Sequence, residues 1–182
     1  MAQWSTCKIG DICRTNVSSF SSNNNWGFVN YLDTGNITEN VIDSIQYIDL
    51  SKEKLPSRAK RKVNYNSIVY STVRPNQRHY GIIKEQPDNF LVSTGFTVID
   101  VDETKADADF VYNFLTQYEN VELLHAIAEQ SVSAYPSIKA SDIEDLEICL
   151  PDMETQKKIS RILSVISEKI DLNRNINKNL AA

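Results

Sequence analysis

The pattern of apolar and polar positions changes period near residue 107. Before it, short runs rich in β-branched and aromatic residues alternate with Asn, Asp, Gly and Pro, the mark of strands and turns. Ile9 to Phe20 reads as a short strand passing into a polar loop, and Asn23, Asn24, Asn25 and Gly27 mark a turn. Trp26 to Leu32 is strand-like, and Asp33-Thr34-Gly35-Asn36 is a turn in which Gly35 can take a left-handed conformation. Ser67 to Val73 is a strand that Pro75 ends. Phe90 to Ile99 reads as a second strong strand, with Gly95 inside it as a bulge or a close backbone approach.

After Asp107 the spacing is helical. Phe110, Phe114, Leu115 and Tyr118 mark one face, and Asn120 is placed to cap a second helix carrying Leu123, Leu124 and Ile127. Ser131 to Ser137 is a loop containing Tyr135-Pro136. Ile138 to Asp145 holds a helical turn, Leu146 to Leu150 a last strand, and Pro151 closes the globular part. Strands first and helices afterwards predict an α+β fold.

The segment from Asp152 is different. Asp152 is a good N-cap, Glu154 sits in the first turn, and neither Gly nor Pro occurs up to Leu180. Ile159, Leu163, Ile166, Ile170, Asn173, Asn177 and Leu180 recur at heptad spacing, and Ile162, Val165, Lys169, Leu172 and Ile176 form a second stripe. Such a helix, roughly 43 Å long at about 1.5 Å per residue, asks for two neighbours. One is its own domain and the other a helix of another chain. Packing on its own domain alone would leave Leu172, Ile176 and Leu180 without an obvious neighbour. The asparagines in the seam cost stability and fix register.

Length and composition exclude several classes. The chain has 182 residues, 41% hydrophobic and 24% charged, which suits an ordinary folded domain and not a disordered chain. No apolar stretch is long enough for a membrane span, and the N-terminus lacks the build of a signal peptide. Three cysteines, Cys7, Cys13 and Cys149, match no zinc spacing and predict reduced, small buried residues in a cytoplasmic protein. The net charge of −5 conceals a basic island: residues 52–84 carry nine basic and one acidic side chain, net +8.

Chemistry-bearing motifs are missing. There is no Walker loop, GxGxxG, HExxH or CxxC, and no NPPY- or DPPY-type amino-methyltransferase motif. The two histidines, His79 and His125, support no hydrolase; Ser71 and His79 lack a nucleophile elbow, and His125 lies near a helix's apolar face. The basic island is more informative. Arg58, Lys60, Arg61 and Lys62 suit phosphates, and the loop Arg74-Pro75-Asn76-Gln77-Arg78-His79-Tyr80 gathers the side chains that read base edges.

With these residues in view, the sequence resembles the specificity subunit of type I restriction–modification systems. The resemblance rests on Ile9-Gly10-Asp11-Ile12, on Phe28 to Ile37, on the block from Arg58-Ala-Lys-Arg61 to Tyr70-Ser-Thr-Val-Arg-Pro75, on Ser93-Thr94-Gly95, and above all on Ile148 to Ile159 running into Ile162-Leu163 and Lys169-Ile170. It covers nearly the whole chain, but one recognition domain and one helix where the full-length form has two of each. The turn Asn64-Tyr65-Asn66-Ser67 lacks the family's Gly-Asp.

The resemblance implies an α+β target-recognition domain over residues 1–151, with a mainly antiparallel β core and flanking helices. A long coiled-coil-forming spacer and dimerisation helix follows over 152–182. It implies a non-catalytic subunit that reads one half of an interrupted DNA site and docks the adenine methyltransferase subunit, as a homodimer or paired with another half-subunit. A restriction (nuclease and translocase) subunit is a further potential partner. No metal or cofactor is expected on this chain; S-adenosylmethionine and ATP with Mg would be used by partner subunits. Arg58, Lys60, Arg61 and Lys62 become backbone contacts. Arg74, Asn76, Gln77, Arg78, His79 and Tyr80 become the base-reading loop, with Thr34 and Tyr135 as further candidates. Gln156, Lys157 and the seam Ile159, Leu163, Ile166, Ile170, Asn173, Asn177 and Leu180 are assigned to subunit contact. The alternative is a truncated or silent cassette that binds the methyltransferase without reading DNA.

Overall fold

The structure, a computed structural model, describes residues 4–21, 23–131 and 136–180. Strand β1 (Ser5–Lys8) runs into a single helical turn, α1 (Ile9–Ile12), where a strand was expected. The turn forms because the Lys8 N–H donates to Asp11 Oδ2 at 2.9 Å and because Ile9 and Ile12, three apart, both point into the core. Strands β2 (Cys13–Thr15), β3 (Phe28–Leu32), β4 (Ile37–Thr38), β5 (Val41–Ile42), β6 (Gln46–Asp49), β7 (Ala59–Arg61), β8 (Ile68–Ser71), β9 (Tyr80–Ile82), β10 (Phe90–Ser93) and β11 (Phe96–Val101) follow. Helices α2 (Ala108–Leu115), α3 (Tyr118–Glu129) and α4 (Ala140–Glu144), strand β12 (Glu147–Leu150) and helix α5 (Met153–Leu180) complete the chain.

Two four-stranded sheets form the centre, in the orders β6-β3-β10-β7 and β2-β11-β8-β9. Within them only β3 and β10 pair parallel, Leu91 opposite Tyr31. The apolar run Phe90 to Ile99 is two strands, not one. The chain turns at Thr94-Gly95 and passes from the first sheet to the second. Phe90–Ser93 and Phe96–Ile99 are buried throughout, so no alternation reveals the break. Leu32, Val69, Phe96 and Val98 are buried together from both sheets, with Ile37 of β4 beside them. A larger core joins Ile68, Tyr70 and Ile99 of the second sheet to Val111, Leu115, Val121, Leu124 and Ile143 of the helices.

Several local expectations are corrected. Thr34–Asn36 is a 3-10 turn whose first N–H is taken by the Asp33 carboxylate at 2.9 Å, and Gly35 has no positive φ. The buried face of α2 is Ala108, Val111 and Leu115, while Phe110 and Phe114 are half-buried beside it. Tyr118 is exposed and begins α3, so Asn120 lies inside that helix and donates its Nδ2–H to the Phe114 carbonyl at 2.7 Å. Leu123 faces solvent, and Val121, Leu124 and Ala128 are buried instead. Of the cysteines only Cys13 is buried, and burial pushes its thiol up to about 12; Cys7 is half-buried and Cys149 exposed, as the alternation of β12 requires.

Asp152 caps α5 as its sequence position suggested, accepting the Thr155 N–H at 2.9 Å. The first two turns of α5 are part of the globular head. Gln156 and Ser160 are buried, and Ser160 Oγ donates to Asp107 Oδ1 at 2.6 Å. From Arg161 onward every described side chain is exposed. No described helix is long and apolar enough to cross a membrane.

Candidate nucleic-acid interface

The turn Thr94-Gly95 is where the separate sequence signals meet. Its Thr94 N–H donates to the Arg58 carbonyl at 2.8 Å. Its Gly95 carbonyl accepts both the Thr72 N–H at 2.8 Å and the Thr72 hydroxyl at 2.9 Å. A Cβ at residue 95 would overlap Arg58 Nη2 and lie 2.9 Å from Thr34 Cγ2, so a guanidinium rests directly on the glycine. Gly95 therefore does serve a close approach, made by an arginine side chain. Arg58, Thr34 and Thr72, far apart in sequence, form one patch. Asp33 stands beside it; hydrogen bonds from Thr34, Ser93 and Tyr31 and the nearby Arg58 charge outweigh its desolvation and lower its pKa.

The basic segment runs along β7. That strand pairs with β10 on one side, and the Phe20 N–H bonds the Lys60 carbonyl at 2.7 Å on the other. Strand alternation buries Ala59 and turns Lys60 outward. Arg58 and Lys60 are exposed. Arg61, expected as a backbone contact, is half-buried; its Nε is buried with no hydrogen-bond partner among the described residues, and desolvation lowers its pKa. Lys62 places its Nζ 5.2 Å from the centre of the Trp26 ring, a cation–π contact.

The loop after β8 is pinched at both ends. Arg74 and Arg78 have left-handed φ of 48° and 57°, and between them Pro75–Gln77 makes one 3-10 turn. Pro75 is buried and Asn76 and Gln77 stand exposed at the tip. Arg74 is exposed, and its guanidinium makes no bond to another described residue. Its N–H donates to the Pro136 carbonyl at 3.1 Å, and the Ile138 N–H donates to Thr72 at 2.9 Å, so residues 136–138 flank the loop. Tyr135 itself lies outside the described residues.

Three members expected in the base-reading loop are placed differently. Tyr80 belongs to β9 and is buried, stacked on Tyr70 with ring centres 5.4 Å apart; desolvation raises its pKa. His79 is half-buried with Nδ1 2.7 Å from the Ile37 carbonyl, tying the loop to β4. Arg78 is exposed but engaged, its Nη1 2.7 Å from Glu39 Oε1. Glu39 and Asn40, missed in the sequence, form the tip between β4 and β5, with φ of 46° and 68°. A hairpin tip of this kind favours Asn and Gly, so only Asn40 hinted at it.

On α5, Gln156, expected at a subunit contact, is buried within the head. Its Nε2 donates to the Pro151 carbonyl and its Oε1 accepts the Asp107 N–H, both at 2.9 Å, inside the head. Lys157 is exposed and Ile159 half-buried. Ile159 and Leu163 line an apolar groove of about 350 Å³ with Trp4, Phe110 and Phe114. Beyond it Ile166, Ile170, Asn173 and Asn177 of the seam, and Ile162, Val165, Lys169, Leu172 and Ile176 of the second stripe, are exposed. The Leu180 side chain lies outside what is described.

Comparison with known proteins adds the following. Residues 1–182 match the family model of the type I restriction modification DNA specificity domain. Over 181 residues the chain is 32% identical to the type I restriction enzyme HindI specificity subunit of Haemophilus influenzae, covering 99% of this chain and 39% of that protein. The chain thus spans about two-fifths of that curated relative's length. The fold is similar to the HsdS subunit from Thermoanaerobacter tengcongensis, with a TM-score of 0.78 at 22% identity over 95% of this chain and 44% of that one. The type I restriction–modification S subunit from M. genitalium gives a TM-score of 0.60 at 17% identity, over 93% and 40% of the two chains.

Proposed function

The chain belongs to the type I restriction modification DNA specificity family, and we propose that it is a non-catalytic target-recognition unit that reads one half of an interrupted double-stranded DNA site. The observation that carries this reading is the patch at Thr94-Gly95, which joins the Arg58 segment to the loop carrying Arg74, Asn76 and Gln77. In this reading Arg58, Lys60, Lys62 and Arg74 meet phosphates or guanine, and Asn76 and Gln77 offer amides to base edges. Four cations give a salt dependence of log K on log salt with slope of roughly −4 per head. A slope near zero would contradict a phosphate-facing surface.

The exposed part of α5 is the docking rod. Two such helices, antiparallel and centred between Ile166 and Ile170, would set Ile166 of one copy against Ile170 of the other. In that register residue 161 of one copy would lie about 14 residues along the pair from residue 161 of the other, so the head ends of the rods would stand about 21 Å apart at about 1.5 Å per residue. Two-fold symmetry then predicts an interrupted palindrome for a homodimer, or two unlike halves when the partner is another recognition unit. The rod and the groove at Phe110 and Phe114 also offer apolar surface to an adenine methyltransferase subunit, which would hold S-adenosylmethionine. A restriction subunit with ATP and Mg would join through that assembly.

Co-expression with the neighbouring methyltransferase, followed by genome-wide mapping of modified adenines, tests the whole reading. Modification confined to one bipartite sequence is the expected result, and absence of any preferred sequence rejects it. The silent-cassette reading draws on the burial of Tyr80 and the engagement of Arg78, which shrink the free loop. Gel shift with specific and scrambled duplexes separates the two.

A further inference from the structure

Arg78 and Glu39 are tied more closely than a chance surface ion pair. The Arg78 Nη1 donates to Glu39 Oε1 at 2.7 Å, and the Glu39 backbone N–H donates back to the Arg78 carbonyl at 2.9 Å. The two side chains remain 46% and 38% exposed, so the pair sits at the surface and not in the core. Both residues hold left-handed φ, at 57° and 46°, which non-glycine residues adopt only where the surroundings fix them.

The surroundings do fix them. The Asn40 N–H donates to the Tyr80 carbonyl at 2.9 Å, and Asn40 Oδ1 accepts the Ile82 N–H at 2.8 Å. Gly81 makes room for this: a Cβ there would lie 2.5 Å from Ile37 Cδ1 and 2.8 Å from Asn40 Oδ1. The carboxylate that meets Arg78 is therefore mounted on a hairpin tip bolted to β9.

An arginine reads guanine by presenting two parallel N–H groups to O6 and N7, and it does so selectively only when the plane of its guanidinium is held. A free arginine has many rotamers and bonds phosphate as readily as guanine. Arg78 has five N–H donors, and the contact to Glu39 engages Nη1. The other donors stay available on an exposed group whose orientation is set.

We infer that Glu39 is a positioning residue for Arg78, holding the guanidinium for two-pronged recognition of one guanine while denying it to the phosphate backbone. This rests on the reading of residues 74–79 as a groove-facing loop. It assigns to the β4–β5 tip a part in sequence choice that touches no base.

The test is a randomised-duplex selection with the full chain, comparing wild type, Arg78→Ala, Glu39→Asn and Glu39→Gln. Asn keeps the left-handed backbone while removing the carboxylate and its reach. Gln keeps an acceptor at the same distance. Glu39→Asn and Arg78→Ala should each lose about tenfold of preference at the same single base pair, other positions staying sharp. For Glu39→Asn, affinity for scrambled duplex should hold or rise. Glu39→Gln should keep most of the preference. A Glu39→Asn protein with wild-type preference at every position overturns the inference, as does an equal loss at all positions with a lowered melting temperature. If wild type selects a site and Arg78→Ala leaves it unchanged, the inference fails and the recognition reading stands. If wild type selects no site, both fail.

Discussion

Replacing Gln156 by Leu tests whether the rod is rigidly mounted. Gln156 is 1% exposed and joins two backbone groups, the Pro151 carbonyl and the Asp107 N–H, each at 2.9 Å. Asp107 is itself a hub, since its Oδ1 accepts the Phe110 N–H at 3.0 Å, capping α2, and the Ser160 hydroxyl at 2.6 Å. Leucine has similar bulk but no polar atoms, so both backbone partners would stay buried without a bond. At about 1–3 kcal/mol for each unsatisfied group, the loss for the two is about 2–6 kcal/mol. For a domain of this size about 2–4 °C per kcal/mol gives a fall in Tm of roughly 8–16 °C at the mid-range loss of about 4 kcal/mol. Thermal unfolding by circular dichroism at one fixed protein concentration measures it, because association would shift Tm by mass action. Ser160→Ala should fall by a smaller amount, about 1 kcal/mol, since it loses one bond. A Gln156→Leu protein melting within about 2 °C of wild type would refute the claim that this junction is dry and fully bonded. It would also remove the basis for treating the rod as a fixed extension of the head.

Two further substitutions address the patch and the rod. Gly95→Ala should lower Tm only modestly, because its φ is not left-handed and Arg58 can swing aside, while the short Thr34 side chain, 2.9 Å from the new Cβ, must also shift. It should lift Arg58 off the turn and lower the magnitude of the salt slope by about one; an unaltered slope and affinity would take Arg58 out of the interface. Ile166→Asp with Ile170→Asp should convert an assembled species to monomer in sedimentation velocity while the head keeps its Tm, because both side chains are exposed in the single chain. An assembly that persists at micromolar concentration would rule out the seam.

The long helix, its cap and the strand cores were legible because period and capping are local properties of the chain. What escaped depended on who pairs with whom. Phe90 to Ile99 looks like one strand because a segment buried on both faces shows no alternation, and only the change of sheet at Thr94-Gly95 divides it. Tyr80 has the composition of a readout loop, yet it lies in β9, antiparallel to β8 and opposite Tyr70, and so goes to the core. Gln156 looks like any polar residue near a helix start, and its two backbone partners, Asp107 and Pro151, become visible only when α2 packs on α5. The basic island was legible as charge, but the inward turn of Arg61 required the register of β7 against β10.

The distribution of backbone strain separates ordinary turns from the facing tips of two loops. Left-handed φ falls on Asn16, Asn66 and Asn89 at ordinary turns, where asparagine is the usual occupant after glycine. It also falls on Glu39, Asn40, Arg74 and Arg78, which cluster at the facing tips of two loops. Glycine at 74 or 78 would relieve a left-handed cost of about 1–2 kcal/mol per residue. It would also delete a guanidinium at the point where the chain reverses. The bonds from the Gln77 N–H to the Arg74 carbonyl and from the Arg78 N–H to the Pro75 carbonyl, both 2.9 Å, hold the turn without glycine. Tight reversal and a charged side chain at the same residue are compatible only because Pro75 is buried and anchors the loop from beneath. That combination presents cations on a fixed backbone, which the proposed discrimination between bases would require and which neutralising phosphates alone would not.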